Sequence, residues 1–539
     1  MSKLPDPIRS GLQRGWKVLG GPHGAAPQTI ACDVAIIGSG AGAGITAELL
    51  TRAGLSVVIV EEGPLRSSSD FRQRESEAYP QLYQESAGRK TEDKAISILQ
   101  GRCVGGSTPV NWTSSFRTPP ATLAYWEQYF GLKDYNEQAL EPYFEQAERR
   151  LNVSSWQVPP NENNELLRSG AVKLGIPVES IRRNVQGCWN LGSCGMGCPT
   201  NAKQSMLVTT IPFALDGGAT LLVETRAEKF EISNGRVQGL TCIAVKPNAA
   251  PVNANGLTTQ IIAKHYVLAG GSINSPALLL RSNAPDPHKQ LGTRTFLHPV
   301  AITTAVMSNT VAGWDGAPQS IYSDHYLTTQ PVDGVMGFKL EVAPLHPVFF
   351  GANLPGFGQK QADLFRQFPH ANVMLALMRD GFHDQSVGGK VELRSDGSPL
   401  LDYPLTDYVL DGARRGMLAM AEIQFEAGAK TVYPGHELGT GTSTWAETKK
   451  AIEALPMKPL LTKIGSAHVM GGCGLAADAQ RGVTRPDGVH WLLENLSIHD
   501  GSLFPTSIGA NPQLSIYGNI NRLAQGLAKR LTDKSVSLV

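Results

Sequence analysis

The sequence predicts an α/β protein with a Rossmann-type dinucleotide-binding domain and a second domain built on an antiparallel sheet. Three stretches carry that prediction: "CDVAIIGSGAGAGITAELLTRAGLSVVIVEEG" at 32–63, "HYVLAGGSINSPALLL" at 265–280 and "GKVELRSDGSPLLDYPL" at 389–405. The first reads as strand, glycine turn, helix and strand, the second as another strand-to-helix crossover, and the third as paired strands. With 539 residues the chain is long enough for two such domains.

Within 32–63, "DVAII" is a short buried strand and "GITAELLTRAG" a helix with Ile45, Leu49 and Ala53 at helical spacing, ended by Gly54. "SVVIVEE" is a second buried strand with an acid at its end. Gly38 and Gly40 occupy the dinucleotide fingerprint, and Ala43 takes its third small position. Gly38 permits the tight turn, Gly40 lets a pyrophosphate approach the backbone, and the helix N-terminus offers free N–H groups to the anion. Glu61 is placed to accept hydrogen bonds from a ribose. NAD and FAD share this fingerprint, so it does not choose between them.

Composition narrows the classes. Apolar content of 41% with 18% charged residues describes a globular chain, and a net charge of +1 argues against a nucleic-acid partner. The amino terminus lacks a signal-peptide core and no apolar run is long enough to span a bilayer, so the expectation is a cytoplasmic protein with no transmembrane segment. A folded protein exported with a signal-bearing partner would look the same. Seven scattered cysteines do not read as a secreted disulfide framework.

Three further stretches select the cofactor. "GRCVGGSTPVNW" (101–112), "AGGSINSPALLLRSN" (269–283) and "NLSIHDGSLFPTSIGANPQLSI" (495–516), in order after the fingerprint, resemble the glucose–methanol–choline (GMC) oxidoreductases, FAD enzymes that oxidise alcohols. The nearest branch resembled is that of the long-chain alcohol oxidases and their bacterial relatives. The resemblance spans nearly the whole chain and implies FAD, a small-molecule alcohol substrate and a discontinuous FAD-binding domain over 28–120, 195–290 and 460–539. The substrate domain would take 121–194 and 291–459, with the paired strands of 389–405 in a sheet roof over the flavin. Gly105, Gly106 and Ser107 form a loop slim enough to lie against a planar ring or diphosphate, and the Asn111 amide could bond the flavin edge. An ordinary glycine turn is the plainer reading of that loop.

Hydride transfer from an alcohol needs a base for the hydroxyl proton and a donor to hold the oxygen. "SAHVMGGCG" (466–474) resembles the family's catalytic histidine segment, which puts the base at His468; Gly472 departs from the Thr of many members. Asn511 matches the position of the second catalytic residue in the His/Asn subtype. Asn511 and Pro512 also sit where an N-cap and first-turn proline belong, ahead of a helix with Ile516, Ile520, Leu523, Leu527 and Leu531 on its buried face. Pro512 joins the expected cofactor contacts on that account, and Asp500 matches a family position that contacts the flavin. A lyase of the same fold, keeping FAD as structure, is the alternative function.

Cys188, Cys194 and Cys198 lie within eleven residues in "GCWNLGSCGMGCPTNAK". They could be a metal site, a disulfide with a spare thiol, or small packed side chains. The segment echoes the end of a bacterial ferredoxin motif. It also resembles the cysteine segment of the bacterial FAD glucose dehydrogenase branch, which implies a three-iron (3Fe-4S) cluster held by these three residues. A cluster would make the enzyme a dehydrogenase serving a cytochrome, quinone or small-subunit acceptor.

Overall fold

A computed structural model describes residues 4–246 and 258–539. Its first sheet has eight strands. Lys17–Leu19, Thr220–Leu222, Val57–Val60, Thr29–Ile37 and Thr258–Leu268 run parallel in that order. Arg236–Ala244 and Thr225–Ser233 continue the sheet as an antiparallel meander. The central runs are aliphatic because parallel strands covered by helices are buried on both faces; Val34, Ile36, Val58 and Ile59 are all inside.

Register sets up the crevice. Ile37 pairs with Val60 on one side and Leu268 on the other, and Leu268 also pairs with Ile498 of the strand Leu496–Ile498. Four parallel strands therefore end at one level, the place where open α/β sheets bind ligands. The chain leaves this edge through Gly38 at φ +102°, into the helix Ala41–Arg52. A Cβ on Gly38 would stand 2.2 Å from the Ala269 carbonyl oxygen, so only glycine fits there. The predicted strand–turn–helix–strand unit is thus observed, with its first strand beginning earlier, at Thr29.

The helix Gln513–Thr532 packs between Ala41–Arg52 and the helix Glu137–Arg150. Ile520, Leu523 and Leu527 of the predicted face are buried, while Ile516 and Leu531 lie partly exposed at its ends. Asn511 does not cap this helix. Pro512 occupies the cap position without a side-chain hydrogen bond, and the Asn511 amide is used elsewhere. A cap would need Oδ1 to accept from a helix N–H, but the amide is turned so that Nδ2 donates to a buried acceptor outside the helix and Oδ1 accepts from none.

A six-stranded second sheet faces the crevice, in the order Phe338–Val342, Ala371–Met378, Val300–Val306, Ile464–Ser466 and Ile96–Ile98, with Thr431–Pro434 also on Val300–Val306. Alternation divides its central pair. Ile302, Leu375 and Leu377 face the cavity, and Ala301, Ala305, Met374 and Ala376 pack with the helix Asp407–Glu426. The paired strands expected in 389–405 exist as Lys390–Leu393 and Pro399–Asp402, but they form a separate two-stranded ribbon. The roof is made by other strands, whose near-continuous apolar runs carry no clean alternation to read. Strands Ile96–Ile98 and Ile464–Ser466 hydrogen-bond into this sheet although they fall in ranges assigned above to the nucleotide domain.

The first and last parts of the chain meet at Gly42. A Cβ there would lie 1.8 Å from the His499 carbonyl oxygen. Gly42→Ala is expected to destabilise the fold by about 1–3 kcal/mol, the usual cost of overpacking. Thermal unfolding should show a lower midpoint, and an unchanged midpoint would contradict this close packing.

Candidate active site

Between the two sheets lies a cavity of about 1130 Å³, lined by Gly38, Gly40 and Glu61 at one end and by His468 and Asn511 at the other. That exceeds the few hundred to about 1,000 Å³ typical of a single small ligand. It has room for a dinucleotide and a second molecule.

The nucleotide end is a cradle of backbone. Gly105 and Gly106 have φ +95° and +60°, and a Cβ on Gly106 would sit 2.6 Å from the Cα of Gly40. The two glycine loops therefore touch, and Ser39 ties them together. Its hydroxyl accepts from the Gly105 N–H at 2.9 Å and donates to Glu61 Oε2 at 2.5 Å. Glu61 Oε1 accepts from the Gly63 N–H at 2.7 Å, which orients the carboxyl at the strand end with acceptor capacity to spare. Burial raises the Glu61 pKa against the pull of these hydrogen bonds. Ala43 is buried in the first turn of the helix. A slim glycine floor beneath a helix N-terminus, with an acceptor at the neighbouring strand end, fits the pyrophosphate and ribose of FAD.

Other expected cofactor contacts have protein partners of their own. Ser107 Oγ accepts from the Gly101 N–H at 2.9 Å. Asn111 donates to Gln513 Oε1 at 2.7 Å and accepts from the Thr113 N–H at 3.1 Å. Asp500 accepts from the N–H groups of Gly271 and Ser502, each at 2.8 Å, and from Ser275 Oγ at 2.5 Å. It thereby fastens the helix Gly271–Arg281 to the C-terminal segment. Ser107, Asn111, Asp500 and Pro512 all line the cavity.

At the far end His468 is partly open to the cavity, and burial lowers its pKa to about 4. Its Nδ1 lies 3.1 Å from Nδ1 of His298, a fully buried residue absent from the sequence reading. Burial first, then the neighbouring His468, holds the His298 pKa well below the ordinary histidine value. Two neutral rings at this distance share one proton, so one Nδ1 donates and the other accepts. His298 adopts φ +47°, and Asp380 secures it by accepting the N–H groups of Leu297 and His298 at 3.0 and 3.1 Å and the Tyr403 hydroxyl at 2.7 Å. Gly472, where the sequence departs from the family pattern, has φ +99°, a conformation costly for threonine. Asn511 Nδ2 donates to Glu341 at 3.2 Å, a second buried group that sequence reasoning missed. His298 and Glu341 sit in strands or just before them, where nothing local distinguishes a site residue from a packed one.

The three loop cysteines are free thiols, half-buried behind the cavity wall. Lys203 Nζ joins their loop to that wall by donating to the carbonyl oxygens of Cys194, Pro109 and Asn111 at 2.7, 2.8 and 2.5 Å. Burial raises the Cys188 thiol. At Cys198 burial also pulls upward, but hydrogen bonds from Thr200 and the Lys203 N–H outweigh it and the net pKa falls. Among the described residues no group of three or more His, Cys, Asp or Glu side chains is arranged to hold a metal ion. The donors present do not make a cluster site as they stand.

A dinucleotide crevice roofed by a second sheet, with an imidazole at its inner end, defines a nucleotide-cofactor oxidoreductase. Two GMC oxidoreductase patterns match residues 79–300 and 384–519, and the chain belongs to that family. It is an FAD-dependent oxidoreductase. A long-chain-alcohol oxidase of Arabidopsis thaliana (FAO4B) is 27% identical over 527 residues, covering 94% of this chain and 68% of the relative. The 6'''-hydroxyparomomycin C oxidase of Streptomyces lividus is 26% identical over 569 residues, covering 98% and 97%. Among solved structures, a formate oxidase of Aspergillus oryzae superposes with a TM-score of 0.69 at 15% identity, over 94% of this chain and 99% of its own. Among the described residues no helix is long and apolar enough to cross a membrane.

FAD is expected to be the nucleotide released on denaturing the purified protein. Glu61→Ala should weaken its retention by about 10–100-fold, the worth of a hydrogen bond to a charged group. Chromatography of the released nucleotide checks both, and full FAD occupancy in the variant would contradict the assigned role.

Proposed function

We propose that this enzyme oxidises an alcohol with an apolar body to the aldehyde or ketone, with His468 as base and Asn511 holding the substrate oxygen. The observation that carries the reading is His468 and Asn511 lining one cavity whose roof is aliphatic, with Val300, Ile302, Leu375 and Leu377. The alcohol oxidase among the relatives supports the substrate class. Residues 28–120, 195–290 and 460–539 are proposed as the FAD-binding body, and 121–194 and 291–459 as the substrate body, with the strands Ile96–Ile98 and Ile464–Ser466 lent by the first to the sheet of the second.

In the oxidation the carbinol carbon loses a hydride and the hydroxyl loses a proton. FAD supplies the hydride acceptor when bound. His468 takes the proton on Nε2, which requires its Nδ1–H to donate to His298 Nδ1 and His298 to carry its own proton on Nε2. As the hydroxyl proton leaves, the oxygen gains negative charge, and an Asn511 N–H stabilises it.

The thiol loop supports a second reading of where electrons go. Lys203 and Arg183 are both buried and, among the described residues, neither has a carboxylate partner within ion-pair distance. Arg183 Nη2 lies 3.8 Å from Cys194 Sγ, so basic side chains and sulfur meet on one side of the loop. An iron–sulfur cluster delivering electrons to a cytochrome or quinone would meet that charge, against the unassembled donors described above. Iron and acid-labile sulfide in anaerobically purified protein support this reading; full FAD without either overturns the cluster and puts the oxidase reading ahead.

Anaerobic mixing with a panel of aliphatic and aryl alcohols should bleach the flavin. No bleaching by any alcohol, with FAD intact, would favour the lyase alternative. His468→Ala is expected to slow flavin reduction by about 10²–10⁴-fold while retaining FAD. Because the His468 pKa is lowered to about 4, the neutral base persists down to that pH, and its contribution is lost as pH falls through about 4. Stopped-flow reduction across pH measures both effects.

A further inference from the structure

Behind Asn511, at the wall of the cavity, lies a carboxyl group that the proposed chemistry leaves unused. Glu341, on the edge strand Phe338–Val342, is 0% exposed. Its Oε2 accepts from Asn511 Nδ2 at 3.2 Å and from Gln319 Nε2 at 2.5 Å, while Oε1 has no hydrogen-bond partner. Gln319 is itself fixed, because its Oε1 accepts from Ser114 Oγ at 2.7 Å. Asn511 has no such second anchor: its Oδ1 is buried without a partner. Among the described residues Glu341 is the side chain that decides which way the Asn511 amide faces.

A primary amide presents two donors at one end and an acceptor at the other. A carboxylate only accepts, so turning the carbonyl of Asn511 toward it would set two acceptors against each other. Ionised Glu341 therefore takes one N–H and leaves the second free for an oxygen in the cavity. We propose that Glu341 is the positioning residue that holds Asn511 with its N–H end toward the substrate oxygen, and that it does so as a carboxylate. The proposal rests on the reading of Asn511 as the oxygen-holding group.

The surroundings make this arrangement sensitive to pH. Burial pushes the Glu341 carboxyl up to about 7, against the pull of Lys339 and of the Asn511 and Gln319 hydrogen bonds, while Asp324 adds to the rise. Lys339, buried on the same strand, is partly engaged elsewhere. Its Nζ is 2.5 Å from Asp324 Oδ1 and 4.0 Å from the ring centroids of both Phe116 and Tyr322. The Tyr322 hydroxyl donates to Glu179 at 2.7 Å, and burial shifts its phenol upward so that it stays neutral. Gln319 and Asn511 do not titrate. Above about 7 Glu341 is a charged acceptor and selects one amide orientation; below it the carboxyl loses its charge and gains an O–H that the amide carbonyl can accept, so the selection weakens. Oxidation should fall as pH drops through about 7, well above the point near 4 where His468 gains its proton.

The test is anaerobic single-turnover flavin reduction as a function of pH in the wild type, Glu341→Gln and Asn511→Ala, with difference infrared spectra of the carboxylic acid stretch. In the wild type we expect a limb near 7 and an acid band that titrates with it. Glu341→Gln should lose both limb and band and run about tenfold slower at the upper end, keeping the low limb of His468. Asn511→Ala should slow reduction, lose the limb near 7 and keep the band. A wild type lacking the limb or the band overturns the proposal even if Glu341→Gln fails to fold. So does Glu341→Gln with the wild-type profile while Asn511→Ala is slow. Wild-type reduction in Asn511→Ala shows instead that the reading of Asn511 has failed, and the proposal falls with it.

Discussion

The site depends on a backbone contact that only glycine permits. Gly42, in the first turn of the nucleotide helix, lies so close to the His499 carbonyl that a methyl group would overlap it. Thr46 Oγ1 lies 2.8 Å from His499 Nδ1 one turn further along. These contacts press the C-terminal segment against the helix whose N-terminus forms the cofactor cradle. From there Asp500 fastens the segment to the helix Gly271–Arg281, and the chain runs on to Asn511 at the cavity wall. Residues more than 450 positions apart thus belong to one rigid body, and the tight packing of that body transmits small errors directly to the site.

A second constraint is dehydration. His468, His298, Glu341 and Asp380 are each shifted toward their neutral forms by burial. In water a histidine and a carboxyl group would both be unremarkable near neutral pH. Here burial keeps the His468 imidazole a free base and pushes the Glu341 carboxyl up to about 7, so the two groups change charge at well-separated pH values. The roof that supplies the apolar surface also supplies the low dielectric.

The cysteine loop shares a wall with this chemistry. Lys203 joins Cys194 to Pro109 and Asn111, and the Tyr83 hydroxyl donates to the Gly195 carbonyl at 2.7 Å while lining the cavity. Three thiols thus lie beside the buried side chains of Lys203 and Arg183, behind the loop of Pro109 and Asn111.

The sequence alone determined the parts whose physics is local. Gly38, Gly40 and Glu61 announce a phosphate turn because the turn, the helix N-terminus and the strand-end acid lie within one contiguous unit of about 30 residues. The buried face of the last helix follows from its spacing, and the order of motifs gave the family. Tertiary structure decided the rest. His298 is a site residue only because Asp380 and the His468 ring meet it across the fold, and Glu341 only because its strand ends beside Asn511. The Asn511 side chain looked like a helix cap, and a buried carboxyl group outside the helix took it instead. The ribbon of 389–405 was legible as strands but not as a separate ribbon, since pairing between distant strands leaves no mark on neighbouring residues. Chemistry carried by chain-local geometry can be read from residues in a row, whereas chemistry made by burial and long-range contact exists only once the chain has closed around it.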